Sequence, residues 1–285
     1  MSSAAHPDWI FFSDLDGTLL DDKTYQWRAA SRALEALEKN ALPLVIVTSK
    51  TRAEVLPLLA QLGRREPFVV ENGGGIYVPV RYFAFQIEGG QRVPGGWWKV
   101  ALGTPYRRLV SELRAASRTA GVRIRGFAQM SVREVAAFTG LESREARRAK
   151  AREFDEPFLI LETDPGAWPR LRAEIRRRGL RATRGSRFFH IMGDNDKGAA
   201  VRRLTAWFRR TRGSRVRTVG LGDSPNDIPL LRAVDVPIIV ARPGGRSDPE
   251  MLAAVPHAQR PTGLGPAGWN RAVLAFLKRR EKPGA

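Results

Sequence analysis

The chain has no cysteine in its 285 residues, which excludes disulfides and thiolate metal sites and fits a cytoplasmic protein. No apolar run approaches the ~20 residues that span a bilayer, so no membrane partner is expected. Residues 1–8 lack the basic start and long apolar centre of a secretory signal. Acidic side chains are also scarce, 29 against 48 basic ones, for a formal net charge of +19. The imbalance is uneven: residues 1–81 are net −1, residues 82–190 net +11 and residues 191–285 net +9. Such an excess suits a nucleic-acid binder or a cleft that steers a small polyanion. Neither a helix-turn-helix signature nor an aromatic-rich single-strand platform is present, so nucleic acid is not expected as a partner. Arginine supplies 40 of the 48 basic residues. Many stand at helical spacing with acids (Glu142, Arg144, Glu145, Arg147, Arg148), which reads as a solvated face.

What is present is an alternation of strand and helix periods. Ile10–Ser13, Leu42–Thr48 and Phe68–Val70 read as short buried strands. Tyr25–Lys39 and Arg52–Leu62 read as the helices between them. This order predicts an α/β fold with a Rossmann-like doubly wound parallel sheet. The pattern then changes. Ile76–Ile87 reads as a hairpin region and Gly89–Gly96 as loop. Helices are expected at Pro105–Ala120, Val132–Thr139, Ser143–Glu153 and Gly166–Arg178, and strands at Phe158–Glu162 and Phe188–Met192. After Lys197 the first pattern returns: helix Gly198–Arg209, strand Arg217–Leu221, helix Ile228–Ala233, strand Val236–Val240 and closing helix Ala267–Lys278. The expected organisation is a core of residues 1–81 and 191–285 with an α+β module, residues 82–190, inserted into it.

Chemistry concentrates at strand ends, where open α/β sheets place their ligands. Asp14 and Asp16 follow the first strand, in Phe11-Phe12-Ser13-Asp14-Leu15-Asp16-Gly17-Thr18. Two acids so close repel unless a cation or a shared proton reconciles them, so a metal-assisted site is one reading and an ordinary Asp/Gly turn the other. Gly222-Asp223-Ser224-Pro225-Asn226-Asp227 puts two more carboxylates on a turn after an apolar strand. Asp14, Asp223 and Asp227 could supply the oxygen ligands of a hard cation such as Mg²⁺. Thr48-Ser49-Lys50-Thr51 ends another strand, where hydroxyls and following amides can cradle phosphate or simply cap a helix. Lys197 could neutralise phosphate charge or be solvated.

Taken in order, Asp-x-Asp-Gly-Thr, the strand-end Thr48, Lys197 and Gly-Asp-x-x-x-Asp resemble the haloacid dehalogenase-like phosphohydrolases, with the insert similar to the α/β cap of their larger-cap (type IIB) class. Thr48-Ser49-Lys50-Thr51, Glu71-Asn72-Gly73-Gly74, Gly126-Phe127, Glu134-Val135-Ala136, Thr139-Gly140-Leu141, Arg152-Glu153-Phe154 and Gly185-Ser186-Arg187-Phe188-Phe189-His190 are similar to the mannosyl-3-phosphoglycerate phosphatases. The resemblance implies Asp14 as nucleophile and Asp16 as general acid and base. It implies Thr48 and Lys197 as stabilisers of the transferring phosphoryl group. Mg²⁺ would be held by Asp14, the backbone of Asp16 and Asp223, with Asp227 ligating through water and orienting Lys197. Ser49, Lys50, Asn72 and Asn226 would contact phosphate or its surroundings. In the cap, Arg152 and Arg187 would take the glycerate carboxylate, and Gln129, Glu156 and His190 the sugar hydroxyls. The implied substrate is a phosphorylated hexosyl-glycerate, mannosyl or glucosyl. Oligomeric state is not legible.

Overall fold

The computed structural model describes residues 8–184, 188–245 and 247–280. In chain order its strands are β1 (Trp9–Ser13), β2 (Leu44–Val47), β3 (Phe68–Val70), β4 (Gly75–Pro79), β5 (Gln91–Val93), β6 (Trp97–Ala101), β7 (Ile124–Gly126), β8 (Asp155–Ile160), β9 (Arg181–Arg184), β10 (Phe189–Met192), β11 (Arg217–Gly222) and β12 (Val236–Ile239). The helices are α1 (Ser31–Lys39), α2 (Arg52–Gln61), α3 (Tyr106–Ala120), α4 (Val132–Thr139), α5 (Ser143–Ala149), α6 (Ala167–Arg177), α7 (Lys197–Arg212), α8 (Ile228–Arg232), α9 (Pro249–Ala254) and α10 (Gly265–Arg280).

Eight strands form the larger sheet in the order β12-β11-β1-β2-β3-β4-β6-β5. The first five are parallel, and β4, β6 and β5 are antiparallel. The sheet is therefore mixed rather than purely parallel. Besides β3, the partner of β4 is β6, not a strand within residues 80–87, and the expected loop at Gly89–Gly96 contains the whole of edge strand β5. Three residues between glycines carry no alternation to announce a strand. Strands β5 and β6 thus join the larger sheet although they fall in the span expected for the insert.

Strands β1 and β2 are apolar on both faces because both faces are covered. Phe11, Leu44, Ile46, Val219 and Leu221 pack on one side with α1 and α10 residues Leu37, Trp269 and Val273. Ile10, Phe12, Val45 and Val47 pack on the other with Val201, Leu204 and Phe208 of α7. Each fully buried Phe or Leu contributes about 2–3 kcal/mol relative to exposure. The smaller sheet, β7-β8-β10-β9, is antiparallel. It is backed by α3 and α6 through Leu109, Leu113, Phe158, Leu171 and Ile175. Strands β7 and β9 and helix α9 are not in the sequence expectation; β7 and β9 are short and arginine-bearing. The expected Ser143–Glu153 helix stops at Ala149, which frees residues 150–154 to cross between the two sheets. No described helix is long and apolar enough to cross a membrane.

Candidate active site

The parallel strands end in a common rim, and several of them deliver side chains to it. Asp14 follows β1, and its N–H donates to Leu221 O at 2.9 Å. Trp269 Nε1 donates to Ser13 Oγ at 3.0 Å, and that hydroxyl donates to Asp14 O at 2.7 Å. The fully buried indole thereby holds the strand end in place. Thr48 follows β2, Asp223 and Asp227 follow β11, and Lys197 opens α7. That helix is capped by Asp196, whose Oδ1 accepts from Ala199 N at 2.7 Å.

Lys197 Nζ lies 2.6 Å from both Asp14 Oδ1 and Asp227 Oδ1, and all three residues are buried. Asp227 Oδ2 accepts from the N–H groups of Asp223 and Ser224 at 3.0 and 3.1 Å. Asp223 Oδ1 accepts from Thr18 Oγ1 at 2.8 Å, and its Oδ2 is 3.0 Å from Arg242 Nε. Gly17 sits at φ +79°, and a Cβ there would stand 2.7 Å from Asp223 Oδ2. Glycine is needed both for the left-handed turn and for that approach.

Carboxylate oxygens of Asp14, Asp223 and Asp227 lie within 4.8 Å of one another. The electrostatics show what the group lacks. Burial, reinforced by the charge of Asp227, pushes Asp14 well above the ordinary carboxylate range despite Lys197. Burial, then Asp227, pushes Asp223 up to about 7. Lys197 behaves oppositely: burial pulls it down, but Asp14 and Asp227 outweigh that and raise it. One ammonium is thus shared among more carboxylate charge than it balances. Three buried oxygen donors with uncompensated charge fit a hard divalent cation.

Asp16 stands outside this trio. Its side chain is 37% exposed and pairs with Lys50 Nζ at 3.0 Å through Oδ2, while Oδ1 is buried with no partner among the described residues. Burial lowers Lys50, but Asp16 and then Glu54 outweigh it and raise it. Asp16, Ser49, Lys50, Arg152, His190 and Asp223 all line one cavity of about 290 Å³. Phe127, Leu141 and Phe188 supply its apolar wall.

The other expected residues are mostly engaged with one another or with the backbone. Thr48 is buried and its Oγ1 accepts from Lys50 N at 3.1 Å. Asn226 Nδ2 donates to Asn72 Oδ1, and Asn72 Nδ2 to Asp155 Oδ2, both at 3.1 Å. Asp155 also meets His190 Nδ1 at 3.0 Å. Burial raises Asp155, but His190 and Arg152 outweigh it and leave the group below its ordinary value. Gln129 is exposed and turns back, its Oε1 accepting from Gly126 N at 2.9 Å. Glu156 is buried, accepting from Tyr106 Oη at 2.7 Å and Ala128 N at 2.9 Å. Arg187 lies outside the described residues. Arg152 donates to Ser49 O at 2.9 Å, tying the segment that leads into β8 to the rim.

Residues given no role from the sequence are Thr18, Asp155, Arg242 and Glu71. Glu71 and Asn72 hold φ of +49° and +56°. The Glu71 carboxylate accepts from Glu153 N and Phe154 N at 2.7–3.0 Å, tying the strained turn to the crossing segment. Arg242 follows a strand of the same sheet, so the strand-end rule could have found it.

A model of the haloacid dehalogenase-like hydrolase family matches residues 11–84. A glucosyl-3-phosphoglycerate/mannosyl-3-phosphoglycerate phosphatase of Methanococcoides burtonii is 42% identical over 269 residues, 94% of this chain and 97% of that protein. A mannosyl-3-phosphoglycerate phosphatase of Pyrococcus furiosus is 31% identical over 81% of this chain and 90% of its own. Among solved structures, a HAD subclass IIB sugar phosphatase superposes with a TM-score of 0.64 at 18% identity, covering 95% of this chain and 98% of its own; it bears on the fold alone. The chain belongs to the haloacid dehalogenase-like hydrolases, in the family of these hexosyl-3-phosphoglycerate phosphatases.

Proposed function

We propose that the protein is a Mg²⁺-dependent phosphatase that hydrolyses mannosyl-3-phosphoglycerate, or its glucosyl counterpart, to the hexosylglycerate and phosphate. The observation that carries this reading is Lys197 bridging Asp14 and Asp227 beside Asp223, next to a cavity lined by Lys50, Arg152 and His190. Acid clusters gather a cation; basic walls gather a polyanion. The names of the relatives at 42% and 31% identity supply the substrate class.

Asp14, Asp223 and the backbone of Asp16 would hold Mg²⁺, with Asp227 reaching it through water; the ion when bound offsets repulsion between a carboxylate nucleophile and a phosphate dianion. Lys197 engages Asp14 Oδ1, leaving Oδ2 to attack phosphorus. The phosphorus–oxygen bond to the glycerate breaks as Asp16 gives that oxygen a proton. Asp16 then takes a proton from water, whose oxygen attacks phosphorus, and Asp14 is released as a free carboxylate. Asp16 is suited to both steps, because its carboxylate reaches the cavity. Arg152, with a buried Nε that has no partner among the described residues, has a donor to spare for the glycerate carboxylate. His190 is oriented by Asp155 through Nδ1, which directs its other nitrogen to a substrate hydroxyl.

The test is phosphate release from both hexosyl-3-phosphoglycerates and a panel of sugar phosphates, with and without Mg²⁺. The reading predicts Mg²⁺-dependent turnover of a hexosyl-3-phosphoglycerate above every simple sugar phosphate. Full activity after exhaustive chelation, or preference for an unrelated sugar phosphate, contradicts it.

A further inference from the structure

Arg242 is the cation at the rim that the motifs do not account for. It leaves the carboxyl end of β12 on a segment fixed by Val240 N donating to Gly222 O at 2.9 Å and Gly265 N to Ala241 O at 3.2 Å. Its Nε pairs with Asp223 Oδ2 at 3.0 Å, while Thr18 occupies Asp223 Oδ1. Both oxygens of a candidate metal ligand are therefore engaged. The Arg242 side chain is 39% exposed, lines the cavity and has no other partner among the described residues. Set against the three carboxylates counted as ionised, Lys197 and Arg242 fall one positive charge short. A divalent cation reaching Asp223 competes with Arg242 for one oxygen and is repelled by it. A phosphate dianion meets instead a planar fork with terminal amines to spare.

We propose that Arg242 is a phosphate-binding residue of this site that also competes with the metal for Asp223. It holds Asp223 before the cation arrives, yields that oxygen to the cation, and then takes a phosphate oxygen. The assignment rests on the phosphatase reading and makes a prediction of opposite signs. Removing Arg242 tightens the cation and loosens the anion, whereas loss of a merely structural contact loosens both.

The test is calorimetric titration of Mg²⁺ alone into the wild-type protein, Arg242→Ala and Arg242→Lys, followed by inorganic phosphate into each Mg²⁺-loaded protein. Circular dichroism checks the fold. In Arg242→Ala the Mg²⁺ dissociation constant should fall about tenfold and that of phosphate rise about tenfold, the scale of one hydrogen bond to a charged group. Arg242→Lys should fall between on both scales. Affinities that weaken together, or that do not move, overturn the assignment while leaving the phosphatase reading in place. A wild-type protein that binds neither Mg²⁺ nor phosphate overturns both.

Discussion

The rim of the parallel sheet and the wall contributed by the smaller sheet use similar side chains in different ways. At the rim, Asp14, Asp223, Asp227 and Lys197 touch one another, and their charges do not balance. Where the smaller sheet meets the larger one, acids are mostly committed to the protein: Glu156 to Tyr106 and Ala128, and Glu71, which follows β3, to the Glu153–Phe154 backbone. An unbalanced cluster invites a ligand, while a satisfied network specifies a geometry. The rim should therefore govern chemistry, and the wall should govern which molecule is presented to it.

The largest expected effect is at the rim. Asp14→Asn should lower kcat by about 10⁴-fold or more, the scale seen when a nucleophile is removed, with an unchanged circular dichroism spectrum. Lys197→Ala should be costly in another way. It strands two buried carboxylates, and breaking a buried pair costs about 3–5 kcal/mol, read as a lower midpoint in urea unfolding.

Wall variants should separate recognition from chemistry. Arg152→Ala should raise KM for a hexosyl-3-phosphoglycerate about tenfold or more while barely changing KM for an aryl phosphate. Equal shifts on both substrates would erase the contrast between wall and rim.

Glu71 gives the junction of the two sheets a pH signature. Burial carries it from 4.5 up to about 7, against the pull of Arg152 and two backbone donors. Between those values the folded protein keeps a proton that the unfolded chain has released, so stability falls as pH rises through that window. The loss is at most about 3 kcal/mol. Comparing urea midpoints of wild type and Glu71→Gln between pH 4.5 and pH 7 checks this, and the variant should show the shallower decline. The smallest effect is expected at Gln129→Ala, which removes one acceptor from Gly126 N. It should cost about 1 kcal/mol of stability and leave KM within about twofold.

The same contrast explains what could be read from the chain alone. Asp14, Thr48 and Asp223 could be placed together from sequence because strand ends are marked by apolar runs, and topology sends parallel strand ends to one rim; Lys197 opens a helix instead and was placed by the resemblance alone. Arg242 obeys the same rule but follows its strand without a motif, and arginine is common throughout this chain. The wall was less legible because its pairs join distant residues: Asn72 with Asp155, Tyr106 with Glu156, Thr51 Oγ1 with Arg148 O. No local spacing announces such pairs, so Gln129 and Glu156 read like ligand contacts although the structure ties both to the backbone. Strand β5 was hidden for a related reason: its membership in the larger sheet depends on β6, not on any pattern of its own.

The most direct test of the central claim is to acid-quench the Mg²⁺-loaded enzyme within its first turnover of hexosyl-3-phosphoglycerate and map the modified peptide by mass spectrometry. The account predicts one phosphoryl group on Asp14, absent from the Asp14→Asn protein. A phosphoryl group on another side chain, or turnover that survives in Asp14→Asn, would contradict it.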